Sequence, residues 1–170
     1  EQAKRYNEYV KTLVELADAL IEVDEKVATY LKAADLYATK FANAAEAVKA
    51  YEAVLQIEPV HGASIEYLKQ AYEKRRDWEK LIGVYQREIG EIADPAERGA
   101  KFIEIAKLAS EKLKKPSVSI ELWSKVLEAQ PDLAPEVLPR VRRAVANGGD
   151  AALALDWLEK SAPEVRAHVV

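Results

Sequence analysis

Residues 28–59 read ATYLKAADLYATKFANAAEAVKAYEAVLQIEP, and residues 100–131 read AKFIEIAKLASEKLKKPSVSIELWSKVLEAQP. The two stretches align without a gap when the chain is shifted by 72 residues (100 − 28 = 72). The aligned apolar positions also match in kind, as Tyr51 does with Trp123. The identical positions in the first stretch are Ala28, Ala34, Leu36, Lys40, Val54, Leu55 and Pro59. Internal similarity at a fixed period is the sequence signature of a repeat protein.

Apolar residues recur at helical spacing along nearly the whole chain, which predicts an all-α fold. Because the predicted linkers are only two to five residues long, neighbouring helices are expected to be antiparallel. The predicted helices span residues 3–22, 26–41, 44–57, 62–75, 78–92, 96–114, 117–129, 135–146 and 151–161, and a truncated tenth begins near Pro163.

The predicted helix ends have chemical causes. Asp94 precedes Pro95 and is followed by Glu97, a combination typical of an N-cap, a first-turn proline and a capping box. Asn43 is a predicted N-cap of the third helix. The Gly148–Gly149 pair predicts the end of one helix just before the next.

The 72-residue unit holds four predicted helices, and therefore two helix pairs of about 36 residues each. Within it, Tyr30-x₂-Ala33-Ala34-x₂-Tyr37 and Ala47-x₃-Tyr51 followed by Pro59 carry the pattern of tetratricopeptide repeats, which this chain resembles. Lys69 occupies a position where the family has a small residue, so a divergent member or a related helical-hairpin family fits the pattern.

The resemblance implies a right-handed α-solenoid of antiparallel helix pairs, with nine to ten helices in a single domain over residues 1–170. The aromatic residues Tyr51, Tyr85, Trp123 and Trp157 are expected to pack between successive pairs. The implied organisation is the second helix of a partial repeat at 3–22, then repeats at about 26–59, 62–93, 96–131 and 134–163, then a truncated last helix at 163–170.

Composition excludes several classes of protein. The chain is 49% apolar and 32% charged, with a net charge of −4, which suits a packed domain and disfavours bulk nucleic-acid binding. It has no cysteine, so disulfides and thiolate metal sites are excluded. No apolar run reaches the length of a membrane helix, and we predict no membrane partner. The compartment is left open, with the cytoplasm favoured.

No catalytic constellation is present in the sequence, and we predict a protein that is not an enzyme. His61 and His168 are both expected in loops, and neither lies near a second strong metal ligand. No glycine-rich phosphate loop is present. We therefore predict no metal site and no cofactor.

In tetratricopeptide-like solenoids the first helix of each pair lines a concave face that holds a peptide or a partner helix, so the resemblance implies a binding site there. Leu31, Tyr67 and Ile103 recur at 36-residue spacing on the first helices. Packing between adjacent first helices explains the same pattern and is favoured. The candidate partner-binding residues are Leu31, Asp35, Tyr67, Gln70, Ile103 and Lys107.

Basic and acidic residues are concentrated at different edges of the predicted solenoid. Basic residues gather in the loops inside the pairs and on the eighth helix, and acidic residues gather between the pairs. A basic edge for an anionic partner is one interpretation; complementation of helix dipoles is the favoured one. The basic residues are Lys74, Arg75, Arg76, Lys112, Lys114, Lys115, Arg140, Arg142 and Arg143.

Both ends of the chain carry apolar positions where a terminal repeat needs a polar outer face. We therefore expect either self-association, as a homodimer or end to end, or a longer parent array. The candidate self-association residues are Tyr6, Val10, Leu13 and Val14.

The predicted function is a non-catalytic interaction module or scaffold whose partner is a protein or peptide. The alternative is a structural or self-assembling helical-repeat building block, a hypothesis that leaves an engineered origin open. Nucleic-acid binding along the basic edge is the third and weakest hypothesis.

Overall fold

The structure, a computed structural model, describes residues 2–160 and Pro163, with side chains described from Asn7 onward within those ranges. Across these residues the regular structure is entirely helical, as predicted. The helices are α1 Gln2–Ala19, α2 Val23–Thr39, α3 Ala44–Ile57, α4 Gly62–Arg75, α5 Trp78–Gly90, α6 Pro95–Lys112, α7 Pro116–Ala129, α8 Ala134–Ala146 and α9 Ala151–Lys160. A one-turn 3-10 helix, Pro131–Leu133, precedes α8. The predicted truncated helix at 163–170 lies outside the described residues, apart from Pro163.

The chain divides into two compact units, Glu1–Asp77 and Trp78–Val170, each of which is described by itself. The first unit holds α1 to α4, and α1 packs on α2, α2 on α3 and α3 on α4. One of its core clusters joins α1, α2 and α3 through Val10, Leu13, Ala33, Tyr37 and Ala47. Another lies between the same helices nearer the α1–α2 linker and contains Ala17, Val27, Tyr30 and Val54.

The second unit holds α5 to α9, in which α5 packs on α6, α6 on α7, and α8 and α9 both on α7. A large core cluster of this unit includes Ile105, Ile120, Trp123 and Val141. Trp123 is 2% exposed, which confirms its predicted place in the core. Tyr51, Tyr85 and Trp157, predicted to fill similar positions, are only half-buried.

Short polar signals set several helix ends. The Asp94 carboxylate accepts the amide hydrogens of Ala96 and Glu97, so the predicted cap of α6 is confirmed. The Asn43 side chain accepts the Glu46 amide hydrogen at the start of α3. A glycine sets the C-terminal end of α8. Gly148 has a φ of +93°, a value that suits glycine, and the helix ends there.

None of the helices formed by the described residues is long and apolar enough to cross a membrane.

Candidate functional site

The predicted partner-binding residues of the first unit lie on α2 and α4. Leu31 is half-buried against the cluster of Ala17, Val27, Tyr30 and Val54, while Asp35 is exposed. Tyr67 is half-buried, and Gln70 is exposed one turn further along α4. The apolar members therefore contribute to packing and keep only part of their surface accessible.

Tyr67 stacks on an aromatic residue of the neighbouring helix. Its ring centroid lies 4.4 Å from that of Tyr51, and the ring planes meet at 30°. Burial, and then the nearby Asp35 carboxylate and Tyr67, raise the pKa of Tyr51 above its ordinary value. Most of one face of Tyr67 is thus used inside the first unit.

In the second unit the two predicted partner-binding residues differ in accessibility. Ile103 is half-buried and packs against the core cluster of that unit. Lys107, one turn further along α6, is exposed and lines a cavity. Of the six predicted partner-binding residues, Lys107 is the one that lines this cavity.

The cavity has a volume of about 590 Å³ and opens between α6, the start of α7 and α8. This volume falls in the range of ligand-binding clefts. Its apolar lining comes from Leu113, Pro116 and Ala144, and its polar lining includes Ser110, Ser119 and Asn147. We call this feature the α6–α8 cavity. Its charged lining consists of Lys107, Glu111, Lys114, Arg140 and Arg143.

The charge of the α6–α8 cavity is strongly positive, because four cations and one carboxylate line it (4 − 1 = +3). Within the part of the chain that the structure describes, no carboxylate forms an ion pair with any of these four cations. By contrast, Lys115, next in the chain to Lys114, pairs with Glu79 at 2.7 Å. The cavity therefore carries positive charge that the fold does not neutralise locally.

A hydrogen-bonded tryptophan, Trp123, lies beside the cavity and contacts two of the residues that line it. The indole Nε1–H of Trp123 donates to the Ser110 hydroxyl at 3.0 Å, and that hydroxyl donates to the Ala106 carbonyl at 2.7 Å. The Arg140 guanidinium lies 5.0 Å from the centroid of the Trp123 ring, within the range of a cation–π contact. These contacts position Ser110 and Arg140.

The internal repeat explains why this space is open. Shifting Ala144 back by 72 residues gives Tyr72 of α4 (144 − 72 = 72), which is 3% exposed. The Tyr72 hydroxyl donates to the Glu52 carboxylate of α3 at 2.5 Å. Where the first unit has a large buried ring, the second has a methyl group, and the side-chain volume is missing beside the cavity.

The predicted self-association residues of α1 lie mainly inside the first unit. Val10 and Leu13 are buried in its core, and Val14 is half-buried against both core clusters. The side chain of Tyr6 lies outside the described part. Val10 and Leu13 are therefore committed to packing of α1 on its own unit.

Other apolar residues around α1 are accessible. Tyr9 is 45% exposed, Leu16 is 49% exposed and Ile21, in the linker after α1, is 90% exposed. In the second unit, α8 and α9 leave an apolar groove of about 380 Å³ that includes Leu138, Val141 and Leu155.

His61 has a structural position. Its Nδ1 accepts the Ser64 amide hydrogen at 3.3 Å and lies 2.9 Å from the Ser64 hydroxyl, so His61 is the N-cap of α4. No group of three or more His, Cys, Asp or Glu side chains that could hold a metal ion occurs among the described residues. His168 lies outside them.

Sequence reasoning assigned Lys114, Arg140 and Arg143 to helix dipoles along an edge, and it placed Lys107 on the predicted partner-binding face. One signal could have brought two of them together, since Lys107 and Arg143 are 36 residues apart (143 − 107 = 36). They hold equivalent positions on the first helices of successive pairs. The missing volume at Ala144 was a second available signal, through its alignment with Tyr72.

Comparison with protein-family models gave no match for this sequence. Comparison with curated proteins gave none either.

Proposed function

We propose that this chain is a divergent tetratricopeptide-like, right-handed solenoid of antiparallel helix pairs and acts as a non-catalytic interaction module. Its partner is a peptide or helix of another protein. The first helices of the pairs carry the binding face, and the α6–α8 cavity belongs to that face in the second unit. This cavity is the observation that carries the proposal.

Two features of the cavity support a peptide as the occupant. Its size suits several side chains and exceeds what a single small ion requires. Its lining combines apolar surface at Leu113 and Ala144 with polar groups at Ser110 and Asn147. This mixture suits a peptide in which apolar and polar side chains alternate. A rigid helical scaffold holds these groups, so little ordering of the protein is needed on binding.

The test is a selection of random displayed peptides against the full chain, followed by affinity measurement on a variant with a blocked cavity. Ala144→Tyr introduces the residue that the first unit has at the aligned position, and it changes no charge. We expect about a tenfold or greater loss of affinity for the selected peptides, because the ring occupies their site. Ala146→Tyr, on an exposed position of α8 that lines the other groove, is the matched control, with an expected change of less than about twofold.

Asn147→Trp provides a second block at the exposed rim, in case the buried substitution disturbs folding. Far-UV circular dichroism and tryptophan fluorescence report whether each variant is folded. The proposal fails if the selection yields no peptide that either blocking variant weakens.

A second candidate function is a structural or self-assembling building block, which the exposed apolar residues around α1 favour. Its partner is a second copy of this chain, because α1 aligns with the second helices of later pairs and its exposed residues Leu16 and Ile21 need cover. Light scattering across a dilution series should then show a mass above the monomer, and the double variant Leu16→Glu with Ile21→Glu should lower it. A concentration-independent monomer contradicts this function. Leu13→Glu is unsuitable here, because Leu13 is buried.

A further inference from the structure

We infer that the apolar groove between α8 and α9 receives the corner between α1 and α2 of a second copy of this chain. This inference rests on the second candidate function, self-assembly, and adds the surface that covers the exposed apolar residues around α1. We call the two surfaces the α8–α9 groove, which has a volume of about 380 Å³, and the α1–α2 corner, which comprises residues 15–25.

The α1–α2 corner carries apolar side chains that its own unit leaves accessible. Ile21, in the linker, is 90% exposed. Leu16, in the last turn of α1, and Val23, the first residue of α2, are exposed as well. A single exposed apolar residue is ordinary, but three large ones within residues 16–23 make a patch of the kind that marks an interface.

The α8–α9 groove offers an apolar recess on the second unit. Among the described residues its lining is apolar apart from Arg142, and it includes Val145 of α8 and Leu155 of α9. Leu155 is exposed and is not among the residues that pack against the core cluster of the second unit. The volume lies within the range of binding clefts, so the groove accepts more than one aliphatic side chain.

The two surfaces carry opposite charge. Residues 15–25 contain five acidic residues and no basic one, and all five are exposed. Within the described part of the chain, none of these five forms an ion pair. The groove is lined by the cation of Arg142 and by no described acidic residue, so its charge complements that of the corner. The acidic residues of the corner are Glu15, Asp18, Glu22, Asp24 and Glu25.

The acidic residues also disfavour other occupants for the corner. Nucleic acid and the anionic surface of a membrane attract basic segments, whereas the carboxylates around Ile21 repel both. A dimer in which two corners meet would bring five carboxylates from each copy together, and like charges oppose such a contact. The corner is therefore expected to bind a different surface of the second copy, and the α8–α9 groove is an apolar recess with a cation in its lining.

The first experiment identifies the contact by cross-linking, which is straightforward because the chain has no cysteine. One preparation of the full chain carries Ile21→Cys, another carries Leu155→Cys, and the two are mixed and treated with a short thiol-to-thiol cross-linker. We expect at least about tenfold more two-chain product than in either preparation alone, because docking holds the two thiols at a high effective concentration. Leu153→Cys replaces Leu155→Cys in the control mixture, which should give only background. Leu153 is exposed on the same helix but does not line the groove.

The second experiment measures the dissociation constant of self-association by light scattering across a dilution series. Leu155→Glu should raise this constant by about tenfold or more, because it places a carboxylate in an apolar groove that receives an acidic corner. Leu153→Glu is the matched control, with an expected change of less than about twofold. Far-UV circular dichroism reports whether each variant is folded.

Ala146→Tyr is a second block, which fills the α8–α9 groove without a change of charge. Ala146 lines the groove at an exposed position, so the ring does not enter the core. This variant should also raise the dissociation constant by about tenfold or more. Ala144→Tyr, which blocks the α6–α8 cavity, should leave self-association unchanged.

Three results overturn the inference and leave self-assembly in place. Ile21→Cys that cross-links to itself as well as to Leu155→Cys would indicate contact between two corners. Equal weakening by Leu155→Glu and Leu153→Glu would indicate general charge repulsion. Association that both groove variants leave unchanged, but that Leu16→Glu with Ile21→Glu abolishes, would place the corner on another surface. A concentration-independent monomer, in contrast, contradicts the self-assembly function itself and the inference with it.

Discussion

The segment α2–α4 of the first unit and the segment α6–α8 of the second are aligned copies of one another, but they use their interiors differently. Helices α4 and α8 begin after the same loop length, and their N-caps, His61 and Leu133, are 72 residues apart (133 − 61 = 72). In the first copy Tyr72 fills the interior and bonds to Glu52. In the second, Ala144 leaves space that is lined by cations.

A further difference concerns which aromatic contact each copy makes. Tyr51 and Trp123 are aligned (123 − 51 = 72), yet Tyr51 stacks on Tyr67 of α4 and Trp123 stacks on Arg140 of α8. An apolar stacking partner completes packing, whereas a guanidinium partner leaves a charge at the surface. The comparison shows that the same backbone pattern supports a closed interior in one copy and an accessible charged cavity in the other.

The largest expected difference between the copies is in stability. Trp123→Ala should lower the free energy of unfolding by about 3–5 kcal/mol, because a ring that is 2% exposed leaves a large cavity in the core. The aligned Tyr51→Ala should cost about 1–2 kcal/mol, because Tyr51 is only half-buried. Denaturant unfolding followed by far-UV circular dichroism measures both. A loss of less than about 1 kcal/mol for Trp123→Ala would contradict its place in the core.

The helix positions could be predicted from sequence because the signals are local. The predicted spans of α3 and α4, 44–57 and 62–75, agree with the structure, and the cap at Asn43 is a clear start signal. The break between α1 and α2 was predicted three residues too late. The linker has neither glycine nor proline, and α2 begins after Glu22, whose ψ of 122° is extended.

The α6–α8 cavity could not be predicted in the same way, because it depends on how α8 is rotated about its axis. Alignment with α4 places Arg140 opposite Leu68, which is buried. In α8 Arg140 is exposed at the cavity, and the buried positions are Ala134, Val137, Leu138, Val141 and Ala144. Adjacent apolar residues allow either face of α8 to turn inward, so periodicity alone does not fix the choice.

The next expected effect, of intermediate size, concerns alkaline pH and the first unit. Burial, and then the hydrogen bond to Asp18, raise the pKa of Tyr30 from 10.0 to about 12. Burial and the bond to Glu52 raise the pKa of Tyr72 as well. At pH values between the unfolded-state and folded-state pKa, these phenols are protonated in the folded state and ionised in the unfolded state. Stability is therefore fully present below pH 10 and is lost as the pH rises from 10 towards 12.

Tyr30→Phe isolates this contribution, because it removes the ionisable group and keeps the ring. We expect the wild type to lose on the order of 2 kcal/mol more than the variant across that pH range. Seven of the eight tyrosines lie before Trp78 and all three tryptophans lie in the second unit, so tyrosine absorbance and tryptophan fluorescence report on different units. If the free energy of unfolding falls equally in wild type and variant as the pH rises, ionisation of Tyr30 is not the cause of the alkaline loss of stability.

The smallest expected difference lies at the aligned N-caps Glu22 and Asp94, which are 72 residues apart (94 − 22 = 72) and have nearly the same backbone angles, with φ of −69° and −70°. Asp94 accepts two amide hydrogens, whereas Glu22 makes no side-chain cap bond. Compared with aspartate, the Glu22 side chain has one more methylene, which carries its carboxylate past the amides of the first turn. Glu22→Asp should therefore raise the free energy of unfolding by about 0.5–1 kcal/mol, and Asp94→Glu should lower it by a similar amount. Because both changes preserve charge, the helix dipole interaction is nearly constant, and denaturant unfolding of the two variants measures the hydrogen bonds themselves. Equal and unchanged stabilities would mean that solvent satisfies the first-turn amides of α2 and α6 as well as a carboxylate does.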